Sequence, residues 1–170
     1  MICFPNAKIN LGLNIVSKRP DGYHNLETVF YPIGLKDALE IVPSESNEPY
    51  RFFQTGIEIK GNADDNLVIK ALKLILQEKE ISPIDIHLLK KIPFGAGLGG
   101  GSSDAAFMLK LLNNNFGLGY SDADLMRFAA KLGADCAFFI KNKPAFASGI
   151  GDELEEIELD LSDYFFVLVK

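Results

Sequence analysis

The sequence has few cysteines and no long apolar segment. Its 170 residues include two cysteines, Cys3 and Cys136, which form no Cys-x-x-Cys pair. Two thiols are too few for a disulfide framework, and this favours a reducing compartment. No apolar run approaches the roughly 18 residues of a membrane span, and the first residues lack the basic and apolar regions of a signal peptide. We therefore expect a cytoplasmic protein without a membrane partner.

The sequence also lacks an excess of positive charge. Lys and Arg number 17 against 23 Asp and Glu, so the formal net charge is −6. No block of like charges is long enough to form a basic arm or a membrane-surface helix. This excludes nucleic acid as a partner over a broad surface. A small anion remains compatible, because backbone N–H groups bind phosphate whatever the net charge.

Hydrophobic residues make up 48% of the chain, enough for a sizeable core, and the length of 170 residues favours one domain or one domain with a fragment of another. From Lys8 onward apolar and polar residues alternate, which predicts a strand with one buried face. Successive strand side chains point to opposite faces, so Lys8 and Asn10 should project together from the other side. The apolar row expected in the core comprises Ile9, Leu11, Leu13 and Ile15.

The remaining periodicity predicts a mixture of helices and strands. One helix should begin near Asp64 or Asp65, a second should cover residues 105–112 at the centre of the fold, and a third should start at a capping box. That capping box pairs Ser121 with Asp124, and Gly133 should end the helix. Apolar runs predict late strands at residues 136–140, 145–147 and 164–169. The pattern is that of an α+β fold.

Residues 93–106, "PFGAGLGGGSSDAA", form a glycine-rich bend followed by an alanine-rich helix. The glycines satisfy G-x-G-x-x-G, but a dinucleotide fold needs a strand leading directly into the first glycine, and Pro93 intervenes. A Walker A loop needs Lys and then Ser or Thr after its last glycine, whereas Ser102 follows Gly101 directly. The protein-kinase motifs V-A-I-K, H-R-D and D-F-G do not occur. These three phosphate-binding motifs are therefore disfavoured.

The physical interpretation that remains is a phosphate pocket. Glycines let the backbone approach a ligand closely, and the following helix presents unpaired N–H groups and a positive dipole end. The alternative is that the glycines only permit tight packing between a helix and a strand. Three consecutive glycines at a helix start cost roughly 0.5–1 kcal/mol each relative to alanine, and ligand binding would compensate for that cost.

Three segments of the chain resemble the successive signatures of the GHMP kinase superfamily: "PNAKINLGLNIVSKRPDGYHNLETVF", "PFGAGLGGGSSDAA" and "LGADCAFFI" with "AFASGIGDEL". Within it, "AKINL" and "RPDGYH" resemble the branch that acts on a cytidine-diphosphate-linked methylerythritol. The resemblance implies transfer of phosphate from ATP, with Mg²⁺, to the 2-hydroxyl of this small-molecule substrate in the non-mevalonate route to isoprenoid precursors. It also implies the N-terminal GHMP kinase domain, a two-layer α+β fold similar to ribosomal protein S5 domain 2.

The same resemblance implies roles for individual residues. Lys8 and Asp135 would be catalytic, and Asn10, Tyr23 and His24 would bind the cytidyl substrate. It assigns ATP binding to one continuous run and two separate positions: Pro93, Phe94, Gly95, Ala96, Gly97, Leu98, Gly99, Gly100, Gly101, Ser102, Ser103, Asn66 and Lys90. Two isolated histidines make no metal site in the protein, so Mg²⁺ would arrive with ATP.

Simpler interpretations stay open for each residue. A lone strand lysine is usually solvated, Asp135 could be a turn or cap carboxylate, and Tyr23 could be an ordinary half-buried aromatic residue. The superfamily is longer by a further domain, which this chain is expected to lack. The face that would contact this further domain is then expected to be exposed and to cause self-association, for example as a homodimer. The alternatives in function are another small-molecule GHMP kinase, or a nucleotide-binding fragment without turnover.

Overall fold

The computed structural model describes residues 1–58 and 61–169. Within these ranges the chain forms eight β-strands, four α-helices and one 3-10 turn. The strands are β1 (Ile2–Cys3), β2 (Asn6–Lys18), β3 (His24–Lys36), β4 (Ala38–Pro43), β5 (Tyr50–Gly56), β6 (Ile84–Lys90), β7 (Ala145–Ser148) and β8 (Glu153–Glu156). The helices are α1 (Leu67–Leu76), α2 (Gly100–Phe116), α3 (Asp122–Leu132) and α4 (Cys136–Lys141), and the 3-10 turn is Ala63–Asp65.

The strands form two four-stranded sheets. The first has the order β1-β4-β6-β5, and its β5–β6 pair is parallel, with α1 lying between these strands in sequence. The second has the order β2-β3-β7-β8 with antiparallel pairing throughout. Its largest part is the β2–β3 hairpin, whose strands have 13 residues each.

One hydrophobic core joins both sheets to the four helices. Leu72 of α1, Ile86 of β6, Leu109 of α2 and Phe30 of β3 all belong to this buried cluster. Helix α2 packs against each of the other three helices, which confirms its predicted central position. The predicted α+β fold is confirmed. No helix in the described ranges is both long and apolar enough to cross a membrane.

Two of the predicted late strands are wrong. Residues 136–140 form most of helix α4 and are all buried, so their apolar character reflects burial on every side. A short apolar run cannot be assigned to helix or strand from periodicity alone. Residues 164–169 form no strand, and Phe165 is 99% exposed. The third predicted late strand, at residues 145–147, is confirmed as part of β7.

The predicted burial of β2 is also wrong. Leu13 and Ile15 are 57% and 69% exposed, whereas Lys8 is only 5% exposed. The pairing of β2 with β3 shifts between Leu11 and Leu13, and this bulge interrupts the alternation of side chains. Beyond the bulge, residues 12–18 are exposed, because the outer half of the hairpin extends past the core.

Candidate active site

Lys8 and Asp135 come from opposite ends of the chain and form an ion pair. The Lys8 Nζ lies 3.3 Å from the Asp135 Oδ2. The Lys8 side chain is buried in β2, whereas the Asp135 side chain remains 33% exposed. Asp135 occupies the N-cap position of α4, but its side chain makes no capping hydrogen bond. The carboxylate therefore does not cap this helix, and one side of it is open to a ligand.

Two further groups hold the Lys8 ammonium. It donates a hydrogen bond to the Asn10 Oδ1 at 2.6 Å, which confirms that these side chains share a face. It also lies 4.5 Å from the centroid of the Phe30 ring, a distance at which a cation is attracted to the ring face. Phe30 in turn packs edge-on against Phe138. Lys8 is therefore fixed between an amide, a carboxylate and an aromatic ring.

The glycine-rich segment forms one wall of a cavity of about 620 Å³. All of residues 93–102 line this cavity, and Phe94 is exposed there. The segment is tied to β2, because the Lys8 backbone N–H donates to the Leu98 carbonyl at 3.0 Å. A Cβ built on Gly99 would lie 2.9 Å from the Phe139 ring and 3.2 Å from the Lys8 Cγ. Gly99 therefore lines the cavity and also lies against the Lys8 side chain.

Helix α2 begins at this wall without a side-chain cap. Gly99 is its N-cap residue, with a φ of 68° that favours glycine. Roughly the first four N–H groups of an α-helix lack a carbonyl partner one turn earlier. The N–H of Ser103 already donates to the Gly99 carbonyl at 2.8 Å, so the unpartnered amides belong to residues 99–102. These amides and the helix dipole favour an anion.

Ser103 differs from the residues that precede it. Its side chain is fully buried, it does not line the cavity, and its hydroxyl has no hydrogen-bond partner among the described residues. Of the residues in the predicted phosphate loop, 93–102 line the cavity, whereas Ser103 faces the interior.

Lys90 lies beneath the cavity in a buried cluster of three charges. Its ammonium pairs with Asp37 and donates to the Asp104 Oδ2 at 2.7 Å. The Asp37 Oδ1 also accepts from the backbone N–H groups of Lys91 and Ile92 at 2.5 and 2.8 Å. Lys90 lines the cavity as the sequence suggests, but its ammonium is engaged by two carboxylates. The cluster connects the start of β4, the end of β6 and the first turn of α2.

Asp104 carries the least compensated charge of this cluster. Burial raises the pKa of its carboxyl group to about 7, Lys90 opposes the rise, and Asp37 adds to it. Its Oδ1 has no hydrogen-bond partner among the described residues.

Asn66 lies on the cavity wall and caps α1. Its Oδ1 accepts from the Val68 N–H at 2.9 Å, so the helix begins just after the predicted Asp64 or Asp65. Its Nδ2 donates to Gln54 at 3.4 Å.

Tyr23 and His24 lie at the tip of the β2–β3 hairpin. Tyr23 is 62% exposed, and its backbone N–H donates to the Asp21 Oδ1 at 3.1 Å. His24 pairs with Lys18, at the opposite end of β2 from Lys8. At about 3.3 Å per residue, a straight strand would separate Lys18 from Lys8 by about 30 Å. The structure therefore brings Lys8, Asn10 and Asp135 together but leaves Tyr23 and His24 apart from them.

Comparison with known proteins adds independent evidence. Residues 66–143 match the family described as GHMP kinases N terminal domain. Residues 66–143 therefore belong to the N-terminal domain family of the GHMP kinases. The chain is 62% identical over 171 aligned residues to a protein of Bacteroides fragilis named 4-diphosphocytidyl-2-C-methyl-D-erythritol kinase, and 60% identical over 170 to the Parabacteroides distasonis protein of that name. Both alignments cover 100% of this chain and 62% of the relative, so the chain spans less than two thirds of their length.

Solved structures show that the fold of this GHMP kinase domain is shared. A crystal structure of 4-(cytidine 5'-diphospho)-2C-methyl-D-erythritol kinase superimposes with a TM-score of 0.80 at 37% identity, covering 94% of this chain and 56% of that one. The Methanococcus jannaschii mevalonate kinase superimposes with a TM-score of 0.68 at 14% identity, covering 96% and 57%. The second similarity shows the fold alone.

Three groups that contact the predicted site residues of this GHMP kinase domain could not be identified from the sequence. Thr28 bonds to Asn10, and Asp37 holds Lys90. A Cβ built on Gly151 would lie 3.9 Å from the Asp135 Oδ1, so the turn between β7 and β8 borders the carboxylate. Thr28 lies in an ordinary strand pattern and Asp37 in a short connection. Neither position carries a local sequence signal, so only the three-dimensional contacts identify these two residues.

Proposed function

We propose that this chain is the nucleotide-binding domain of a 4-diphosphocytidyl-2-C-methyl-D-erythritol kinase. The reaction transfers phosphate from ATP to the 2-hydroxyl of the cytidine-diphosphate-linked methylerythritol, and ATP bound with Mg²⁺ supplies the phosphoryl group. Relatives with that name match the chain along its whole length. The observation that carries the proposal is the Lys8–Asp135 pair, whose lysine side chain lies against Gly99 at the uncapped start of α2.

The cavity fits the triphosphate of ATP. Its volume of about 620 Å³ lies within the usual range for small-molecule sites of roughly 300–1,000 Å³. The amides of residues 99–102 would bind phosphate oxygens, and the positive end of α2 would stabilise their charge. Asn66 and Phe94 line the same cavity, where they would contact the nucleoside. Lys90 would act indirectly, because its ammonium binds Asp104 and so holds the N-terminal part of α2 in place.

The Lys8–Asp135 pair suits the chemistry of the acceptor hydroxyl. Phosphoryl transfer depends on positioning and on stabilisation of developing charge. The half-exposed Asp135 carboxylate would orient the substrate hydroxyl and accept its proton. The buried Lys8 ammonium would stabilise negative charge that develops on the hydroxyl oxygen.

Substrate selectivity would come from the β2–β3 hairpin. The exposed Tyr23 ring would stack on cytosine and His24 would hydrogen-bond to it, with Asn10 near the reacting end. Because the hairpin tip lies far from Lys8 along β2, a substrate that reaches both must be extended, as a nucleoside diphosphate with a polyol tail is. The remaining length of the relatives would complete this cleft as a further domain, which we propose is separate from residues 1–170.

A second candidate function is nucleotide binding without turnover. It is favoured by the cavity and the uncapped start of α2, which would suffice to bind a nucleotide without the Lys8–Asp135 pair. Calorimetric titration of the 170-residue chain with a non-hydrolysable ATP analogue and with CDP, alongside an ADP-release assay with the cytidyl substrate, separates the two. Binding of the analogue with ADP release supports the kinase, whereas binding without release supports the second candidate. Absence of analogue binding would contradict both.

The catalytic roles have their own test. Asp135→Asn and Lys8→Met should lower ADP release by about 100-fold or more, while the affinity for the ATP analogue and the circular dichroism spectrum stay near those of the wild type. The matched control is Asp122→Asn, which changes an exposed carboxylate in the first turn of α3. Near-native turnover of Asp135→Asn or of Lys8→Met would show that the role assigned to that residue is wrong.

A further inference from the structure

A β-bulge at Gly12 redirects one carbonyl group out of the β2–β3 ladder. Leu11 pairs with Val29 and Leu13 pairs with Thr28, so an extra residue of β2 lies opposite one step of β3. Gly12 has a φ of 70°, the left-handed conformation that such a bulge requires of its glycine. Its carbonyl accepts a hydrogen bond from the Thr28 hydroxyl at 2.5 Å.

This bond determines what else the Thr28 hydroxyl can do. A hydroxyl has one proton, and here the Thr28 hydroxyl donates that proton in its hydrogen bond to the Gly12 carbonyl oxygen. Thr28 is only 3% exposed, so water does not compete freely for it. Its oxygen can therefore only accept a second bond, and the Asn10 Nδ2 lies 3.1 Å away as the donor.

The orientation of the Asn10 amide follows from both of its neighbours. Thr28 needs a donor, so the NH₂ of Asn10 faces Thr28. On the other side the Lys8 ammonium only donates, so it needs the Asn10 Oδ1, which lies 2.6 Å from Nζ. A reversed amide would place NH₂ against NH₃⁺ and would leave its oxygen facing a hydroxyl whose proton is already engaged. Two independent constraints therefore select the same rotamer.

We propose that Thr28 is a positioning residue that acts on Lys8 through Asn10. The Gly12 carbonyl fixes the Thr28 hydroxyl, the hydroxyl fixes the Asn10 amide, and the amide oxygen holds the Lys8 ammonium at its place beside Asp135. The catalytic consequence rests on the proposed function, whereas the chain of hydrogen bonds does not. Asn10 thereby serves Lys8 in addition to its proposed contact with substrate.

A packing role for Thr28 predicts a different response to mutation. Thr28→Val keeps the shape of the side chain and removes the hydroxyl, whereas Thr28→Ser keeps the hydroxyl and removes a methyl group. Positioning predicts that serine preserves the wild-type behaviour and valine does not. Packing predicts the reverse. Thr28→Ala removes both groups and serves as a second hydroxyl-free variant.

The direct test is nuclear magnetic resonance of the 170-residue chain, with lysine NH₃⁺ and asparagine NH₂ groups labelled with ¹⁵N. Signals of Lys8 and Asn10 are assigned by their loss in Lys8→Met and Asn10→Ala. In the wild type and in Thr28→Ser we expect a resolved Lys8 NH₃⁺ signal and slow exchange of the Asn10 NH₂ protons. In Thr28→Val and Thr28→Ala we expect that exchange to be about tenfold faster or more and the Lys8 signal to broaden. Wild-type signals in Thr28→Val, or altered signals in Thr28→Ser, would overturn the proposal.

The kinetic test separates this inference from the proposed function. In the ADP-release assay Thr28→Val should lower kcat by about 10- to 100-fold with little change in the KM for ATP, and Thr28→Ser should restore most of kcat. An equal loss of kcat in both variants would overturn the positioning role. If the wild-type chain releases no ADP, the proposed kinase activity of this chain fails, and the magnetic resonance result still decides the role of Thr28.

Discussion

At the scale of single residues, Asp104 makes the stability of the chain depend on pH. Burial raises the pKa of its carboxyl group from 3.8 to about 7, so folding favours the protonated form. That stabilisation is complete below about pH 4 and is lost as the pH rises through 7. Asn cannot ionise, so the Asp104→Asn variant does not lose this stabilisation. As the pH rises from 4 to 8, its unfolding free energy should therefore increase relative to that of the wild type, by up to about 4 kcal/mol. Urea denaturation at a series of pH values measures the difference.

Asp122→Asn is the matched control for this titration, because Asp122 is exposed on the first turn of α3. Its unfolding free energy should stay within about 0.5 kcal/mol of the wild type, as for most surface substitutions. A curve for Asp104→Asn that runs parallel to that of the wild type would show that Asp104 is already ionised in the folded state across the whole range.

The sequence predicts some of these residues better than others. Alternation in β2 correctly places Lys8 and Asn10 on one face, because strand geometry is local. No local pattern connects Lys8 with Asp135, and only the family resemblance pairs them before the structure does. Thr28 could not be predicted, since its function depends on a bulge in the neighbouring strand.

At the scale of elements, the start of α2 has room for a side chain at one glycine but not at its neighbour. A Cβ on Gly100 would lie 2.8 Å from the Ile92 Cγ2 and 3.3 Å from the Lys90 Nζ. A Cβ on Gly101 would meet the Leu67 Cδ1 at an ordinary 3.7 Å. Gly100→Ala should therefore lower the unfolding free energy by about 1–3 kcal/mol. Gly101→Ala should raise it by about 0.5–1 kcal/mol, because alanine favours the helix.

Both glycine variants are compared by urea denaturation, each serving as the control of the other. Equal stabilities for Gly100→Ala and Gly101→Ala would mean that the Ile92 side chain moves aside at no cost in free energy. The close packing against Lys90 would then not account for glycine at position 100.

Helix α3 depends on its N-terminal capping box. The Ser121 hydroxyl accepts from the Asp124 N–H, and the Asp124 carboxylate accepts from the Ser121 N–H. Ser121→Ala should lower the unfolding free energy by about 1 kcal/mol, and Ser121→Thr should recover most of it. Thermal unfolding followed by circular dichroism measures both. A threonine variant as unstable as the alanine variant would contradict the capping explanation.

Prediction of elements succeeds where their ends carry a local signal. The capping box and Gly133 bound α3 as predicted, because caps are read from a few adjacent residues. Helix α4 was predicted as a strand, since its buried residues are apolar on all sides and no alternation distinguishes the two. The short segment between Asp135 and Asn142 has no side-chain cap at its start either.

At the scale of the whole molecule, residues 164–169 present an apolar surface to solvent. Phe165, Val167 and Val169 are among the most exposed hydrophobic residues of the described chain. Contiguous apolar surface promotes association. We expect the chain to self-associate, and Phe165→Lys with Val167→Lys to shift it toward the monomer. Sedimentation velocity measures both.

The exposed hairpin residue Leu13 provides the comparison for this surface. Leu13→Lys should change the sedimentation coefficient less than the double variant, since it replaces a single exposed apolar side chain outside residues 164–169. A wild-type chain that stays monomeric throughout would contradict the expectation of association.

The ion pair between β2 and the residue before α4 also sets a condition on biosynthesis. Lys8 leaves the ribosome early, whereas Asp135 is synthesised 127 residues later. Contacts between such distant segments close large loops and form late in folding. A nascent chain that ends before α4 can therefore build the β2–β3 hairpin, but it cannot yet form the Lys8–Asp135 ion pair.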